Sequence, residues 1–178
     1  MCPQPRGQSS IASARSENAN TTSSGSMWAN PNDRIPGVSI TQPPDASGSA
    51  TDDGYPEHTF TWDTTLRIRQ ALTALGVRTA MSRGDDTGPG PCVDERAALA
   101  NSIQPNAIVS IHADGGPPTG RGFHVLYSSP PLNQAQAGPA VQFARTMRDT
   151  LAGSGIPPAT YIGSSGLNPR SDIAGLNL

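Results

Sequence analysis

The sequence predicts an α/β fold with a mostly parallel central sheet flanked by helices. Three observations carry that prediction. From about residue 55 onward, stretches with helical periodicity alternate with short apolar runs. One of those runs, AIVSI at 107–111, is apolar on both faces, as a strand covered by helices on each side must be. Glycine and proline punctuate the joins between periods, where helices stop and turns begin.

Residues 1–54 stand apart from this pattern. They hold 10 serines, 6 prolines and 5 glycines, with Trp28 as the one aromatic and four Val, Ile or Leu in total. Such a segment buries too little apolar surface to offset its ordering entropy, so 1–54 is read as disordered or non-native. Within it, IPGVSI at 35–40 is the sole candidate for a short strand.

The next segment, 58–75 (HTFTWDTTLRIRQALTAL), sets Ile68, Ala71, Leu72 and Leu75 on one helical face, extended backward by Trp62 and Phe60. Pro56 suits a first turn and Gly76 a C-terminal stop. VRTAMSR at 77–83 reads as a strand, GDDTGPGPC as a loop, and VDERAALANSI at 93–103 as a short helix that begins near Asp94 and ends before Pro105. AIVSIHAD at 107–114 is a second strand and GFHVLYSS at 122–129 a third. After the loop PPLNQAQAGP, a helix over 139–152 carries Val141, Ala144, Met147 and Leu151 along one stripe. The last residues, from Ile156, read as loop with short apolar patches.

Charge and length narrow the function. The 178 residues fit one domain with a core; the net charge of −2 leaves no basic footprint for nucleic acid. All 12 cationic side chains are arginines, a bias that compositional drift explains as well as chemistry does. No run approaches the roughly 20 apolar residues of a membrane span. The N-terminus lacks the apolar core of a secretory signal. Cys2 and Cys92 are too few for a disulfide framework and are not spaced as a metal pair; a bridge between them has no independent support in the sequence.

Three histidines and three glutamates hold the chemistry. His112 lies where an α/β sheet keeps its ligand sites, just past the C-terminal end of a strand, and the small residues after it leave room for an ion or substrate. Against that stands the ordinary buried histidine satisfied by one hydrogen bond. His124 reads as structural or as support to a ligand, and His58 as a neutral imidazole near a helix start. Glu57 and Glu95 both open helices, where an acid complements the dipole. Glu57 also sits in the unusual entry Gly-Tyr-Pro-Glu-His, and with histidine it suits a zinc site. Asp85 and Asp86 read as a solvated acidic turn. Neither a phosphate-binding glycine loop nor a Gly-x-Ser-x-Gly elbow occurs.

In series, GYPEHTFTWDTTLRIRQALTALGVRTAMSRGDD, CVDERAALAN and AIVSIHADGG resemble the zinc-dependent N-acetylmuramoyl-L-alanine amidases. The likeness runs from about Gly54 to the C-terminus. It implies an α/β catalytic domain over 55–178. It also implies hydrolysis of the amide between N-acetylmuramic acid and L-alanine of peptidoglycan, with Zn2+ held by two histidines and a glutamate. Glu57 matches the glutamate ligand and His112 the second histidine. The family's first ligand follows Asp-Pro-Gly, and no Pro-Gly-His occurs here. Its catalytic glutamate lies on a late strand, and no glutamate here takes that role, so the catalytic residue is left unassigned. The resemblance thus implies a copy truncated at both ends, lacking the first and last strands of the family fold.

Loss of a general base costs about 10²–10⁴-fold in rate, so the expectation is an impaired enzyme. His58 and His124 are the candidates to replace the absent ligand, although side chains adjacent on a helix diverge by about 100°, which argues against His58 joining Glu57. The partners implied are peptidoglycan or muropeptide fragments, without nucleic acid or a membrane span, the chain acting as a monomer in the periplasm or cell wall. Two other readings stand beside this one: an inactive muropeptide-binding module, and a zinc carboxypeptidase on a similar sheet.

Overall fold

The computed structural model describes residues 49–87 and 90–176, together with the strands at 11–14 and 37–41. Among the described residues, six strands make one sheet: β1 (Ile11–Ala14), β2 (Gly37–Thr41), β3 (Arg78–Met81), β4 (Ala107–Ser110), β5 (Val125–Ser128) and β6 (Leu167–Arg170). Their order is β3-β2-β4-β1-β5-β6. Four of the five neighbouring pairs are parallel, and only β1 against β4 is antiparallel. The helices are α1 (Glu57–Ala74), α2 (Val93–Ile103), the single turn α3 (Gln134–Ala137) and α4 (Pro139–Gly153). The expected α/β fold with a mostly parallel sheet is what the chain forms.

Three expectations about elements need correction. The segment read as disordered supplies two strands of the sheet: β2, which lies within the IPGVSI candidate and one residue beyond it, and β1. The rest of 1–48 lies outside the described residues. The C-terminal stretch read as loop contains β6, a strand of sequence LNPR. Proline there is tolerable because β6 is an edge strand, bonded to β5 alone. Finally, the strand expected over 107–114 ends at Ser110, so His112 and Asp114 lie beyond it in irregular chain.

Packing explains why α1 differs from its apolar pattern. Its buried residues are Glu57, Thr61 and Thr65, spaced four apart, with half-buried Ile68 and Leu72 continuing the same line. Leu75 of the expected face is 78% exposed, and Phe60 is exposed as well. The polar stripe can be buried because Glu57 and Thr61 find partners: Glu57 accepts from Ser49, His112 and Ala113, and Thr61 donates to the carbonyl of His58. The α4 stripe, by contrast, forms as its periodicity predicts. Ala144 is fully buried with Val125 of β5, and Met147, Leu151 and Phe143 pack around them. A second cluster joins Leu126 to Ile173 and Leu176.

At α2 the local code is plain. Glu95 accepts the backbone N–H of Cys92 at 2.8 Å, the reciprocal cap that an acid three residues into a helix provides. Cys92 is disulfide-bonded, and the sequence's other cysteine, Cys2, lies outside the described residues.

Beside α1, the acidic turn does more than face water. Asp86 binds His58 Nδ1 at 2.9 Å, Thr59 Oγ1 at 2.8 Å and Arg83 at 2.7 Å. Arg83 also donates to the carbonyl of His58 at 2.6 Å and stacks over Trp62 at 5.2 Å. Asp85 instead accepts from Thr87 within the turn. Burial alone would raise the Asp86 pKa, but the bonds from His58, Arg83 and Thr59 outweigh it and hold the carboxyl below its ordinary 3.8. A lowered carboxylate pKa stabilises the fold above the unfolded value, and that contribution fades as pH falls through the folded one. We therefore expect Asp86→Asn to lower the unfolding free energy by about 1–3 kcal/mol at pH 7. In urea titrations, the gap between variant and parent should close on acidification below about pH 4. A pH-independent gap would contradict this account.

Candidate metal centre

The site is assembled by two chain reversals. The turn at 51–55 closes through Gly54 N to Thr51 O at 2.8 Å and Thr51 N to Tyr55 O at 3.0 Å, pairing Ala50 with Pro56. That sets Ser49 opposite the first residue of α1. The backbone N–H of Ser49 donates to Glu57 Oε2 at 3.1 Å and its hydroxyl donates to the same oxygen at 3.3 Å. The hydroxyl also lies against the carbonyl of Ala113. From the other side, the chain leaving β4 brings Ala113 N–H to Glu57 Oε1 at 3.1 Å and His112 Nδ1 to the same oxygen at 3.1 Å.

Glu57 is thus a buried carboxylate enclosed by donors. Burial works to raise its pKa, but the hydrogen bond from His112, the N–H of Ala113, the charge of His112 and the N–H of Ser49 prevail. The carboxyl is held below its ordinary 4.5. Such a group stays ionised through the neutral range and offers a fixed negative charge next to an imidazole. The far nitrogen of that ring, His112 Nε2, faces the hydroxyl of Ser110 at 3.2 Å. Because a serine hydroxyl both donates and accepts, it satisfies either neutral tautomer of His112, including the one whose Nδ1 lone pair is free for an ion.

Glu57, His112 and Asp114 each offer a ligand atom, all within 4.8 Å of one another. Two carboxylates and one imidazole form a donor set suited to a borderline divalent cation. Ligand atoms about 2.0–2.1 Å from a tetrahedral zinc lie about 3.3 Å apart. The 3.1 Å between Glu57 Oε1 and His112 Nδ1 is close to that separation. The residues fit a metal.

His124 lies on the buried side of this group. It is 5% exposed, and among the described residues its Nε2 has no hydrogen-bond partner. Asp114 Oδ2 is 3.8 Å from that nitrogen. Burial, then the positive charge of Arg170, push the His124 pKa down, so the ring is neutral. Tyr161 meets His124 edge to face at 6.5 Å, and burial followed by the Asp114 carboxylate raises its own pKa.

The structure brings Glu57 and His112 within hydrogen-bond distance and sets His124 next to Asp114. His58 is not among them; it is tied to Asp86. Sequence reasoning misses Asp114 and Ser49. Asp114 had a signal, since it follows His112 by two residues just past the C-terminal end of a strand, where α/β sheets keep ligand sites. Ser49 had none, because its position depends on the turn at 51–55.

A sequence profile of the N-acetylmuramoyl-L-alanine amidase family matches residues 36–159. The chain belongs to that family. The match takes in β2 and the whole of the Glu57–His112–Asp114 group. Over 133 residues, 75% of this chain, it is 71% identical to the N-acetylmuramoyl-L-alanine amidase Rv3717 of Mycobacterium tuberculosis. It spans 55% of that relative's length. Among solved structures, the amidase Ami1 of Mycobacterium smegmatis superposes with a TM-score of 0.75 at 67% identity, over 82% of this chain and 78% of the other. Ami1 of Mycobacterium abscessus, in its apo form, gives 0.74 at 54% identity, over 79% and 77%. At 20% identity, the catalytic domain of CwlV from a Paenibacillus shares the fold, with a TM-score of 0.57 over 79% and 73%.

Proposed function

We propose that this chain is a zinc-dependent N-acetylmuramoyl-L-alanine amidase domain, acting on peptidoglycan or its muropeptide fragments, with reduced turnover. The observation that carries the reading is the convergence of Glu57, His112 and Asp114 at the end of β4, inside the stretch matched to the family. When bound, zinc supplies a Lewis acid for the scissile carbonyl and acidifies the attacking water. The chain's own residues hold and orient. Glu57 is held by Ser49 and Ala113, and His112 by Ser110, so both side chains can stay in place when an ion replaces the hydrogen bond between Nδ1 and Oε1. Ser110 can keep the ring proton on Nε2 and leave Nδ1 toward Glu57.

Reduced turnover follows from an accounting of glutamates. The described ones are Glu57, which belongs to the metal group, and Glu95, which caps α2. Among the described residues neither is free to act as a general base, and an enzyme without one would be slower by about 10²–10⁴-fold. The same accounting favours a second reading, a module that holds muropeptide without cleaving it. In this reading the chain works in the periplasm or cell wall, where peptidoglycan lies, and the disulfide at Cys92 supports an oxidising compartment. Among the described residues, no helix is long and apolar enough to cross a membrane.

Metal analysis of the purified chain, with chromatographic assay of an N-acetylmuramoyl-L-alanine-containing muropeptide, tests both readings. We expect one zinc per chain and slow cleavage abolished by a chelator. Retention of peptidoglycan with no cleavage at any enzyme concentration would move the assignment to the binding module. Turnover at the rate of the full-length relatives would overturn the claim of impairment.

A further inference from the structure

We propose that His124 is the positioning residue of the metal centre: its buried Nε2–H fixes Asp114 as the third ligand to a divalent cation held by Glu57 and His112. The inference rests on the metal-binding reading above and deepens it by naming the side chain that holds Asp114. Two separate observations support it. Asp114 lies within ligand reach of Glu57 and His112. Independently, His124 is almost wholly buried, and among the described residues its Nε2 has no hydrogen-bond partner and lies 3.8 Å from Asp114 Oδ2.

A buried ring nitrogen without a partner is uncommon, and here the nearby carboxylate is the outermost member of the metal group. The gap is a little longer than a hydrogen bond, so a small rotation of Asp114 closes it. In that arrangement one carboxylate oxygen accepts from His124 and the remaining lone pairs face the cation, the usual relation between a ligand and the residue that supports it. The imidazole itself is held by the edge of Tyr161 on one side and by its place just before β5 on the other. His124 therefore acts on the ion through Asp114 and is not itself a ligand.

Zinc affinity of the full-length chain, measured by competition with a chromophoric chelator, tests this, with circular dichroism confirming the fold of each variant. We expect H124A to weaken zinc binding about 10–100-fold. H124Q, whose amide offers a donor near the same place, should recover most of that loss. D114N should weaken binding at least as much, and adding H124A to D114N should cost little more. The absorption of the cobalt-substituted chain should be nearly unchanged in H124A, since no ligand is lost. Parent-like affinity in folded H124A, or additive losses in the double variant, would overturn the role of His124 while leaving the Glu57–His112 site standing. A parent chain that binds no zinc overturns both.

Discussion

Replacing Glu57 by glutamine should abolish stoichiometric zinc binding, lowering affinity by more than the roughly 10–100-fold that loss of a supporting residue costs. Any cleavage of muropeptide should disappear with it. The variant tests geometry as well as charge. The two oxygens of Glu57 face the N–H groups of Ser49 and Ala113, the Ser49 hydroxyl and the Nδ1 of His112. A glutamine amide has one oxygen to accept and an NH2 that must oppose a donor. One backbone N–H is then left buried against another N–H, so the metal-free protein should also lose about 1–3 kcal/mol. Metal analysis and urea unfolding of the apo protein separate these two effects. A variant that keeps one tightly bound zinc would remove Glu57 from the centre.

The same residues mark how far a sequence can be read. Helix α2 is legible to within a residue because its signals are local: acids in the first turn, and a proline shortly past the end. The pairing of Glu57 with His112 is legible only through motif order, since 55 positions separate them. Periodicity misleads on α1 for a physical reason. A helix can bury a polar face where its groups find partners, as Glu57 and Thr61 do here, on a line shared with Thr65. Edge strand β6 escapes notice because Asn and Pro have low strand propensity and Pro169 needs no partner on its open side. Ser49 could not have been found, since its role exists only after the turn at 51–55 has formed. Asp114 could have been, by its place two residues after His112 just past the end of a core strand.

A second large effect should come from a position that carries no chemistry. Gly122 has φ +100°, and a Cβ there would lie 2.5 Å from the carbonyl oxygen of Pro158 and 2.6 Å from that of Pro157. Both are backbone atoms, so no side chain can swing aside. The two strands of chain are zipped at this point: Phe123 N–H donates to Pro157 O at 3.0 Å, Ala159 N–H to Phe123 O at 2.6 Å, and Thr160 N–H to Arg121 O at 3.2 Å. This zipper aligns His124 on one side with Tyr161 on the other. Gly122→Ala therefore combines a left-handed backbone penalty with a forced separation, together about 2–4 kcal/mol. For a chain of this size that is a fall in melting temperature of about 5–15 °C. Gly153→Ala is the matched control. It sits at the end of α4 with nothing within 4 Å of the added carbon and no positive φ, so it should be neutral or mildly stabilising. Thermal unfolding of the two variants, followed by their zinc affinities, distinguishes loop from helix. If both melt alike, the close approach at Gly122 is not what holds the loop. If Gly122→Ala melts early yet binds zinc as the parent does, the loop stabilises the fold without positioning the metal group through His124.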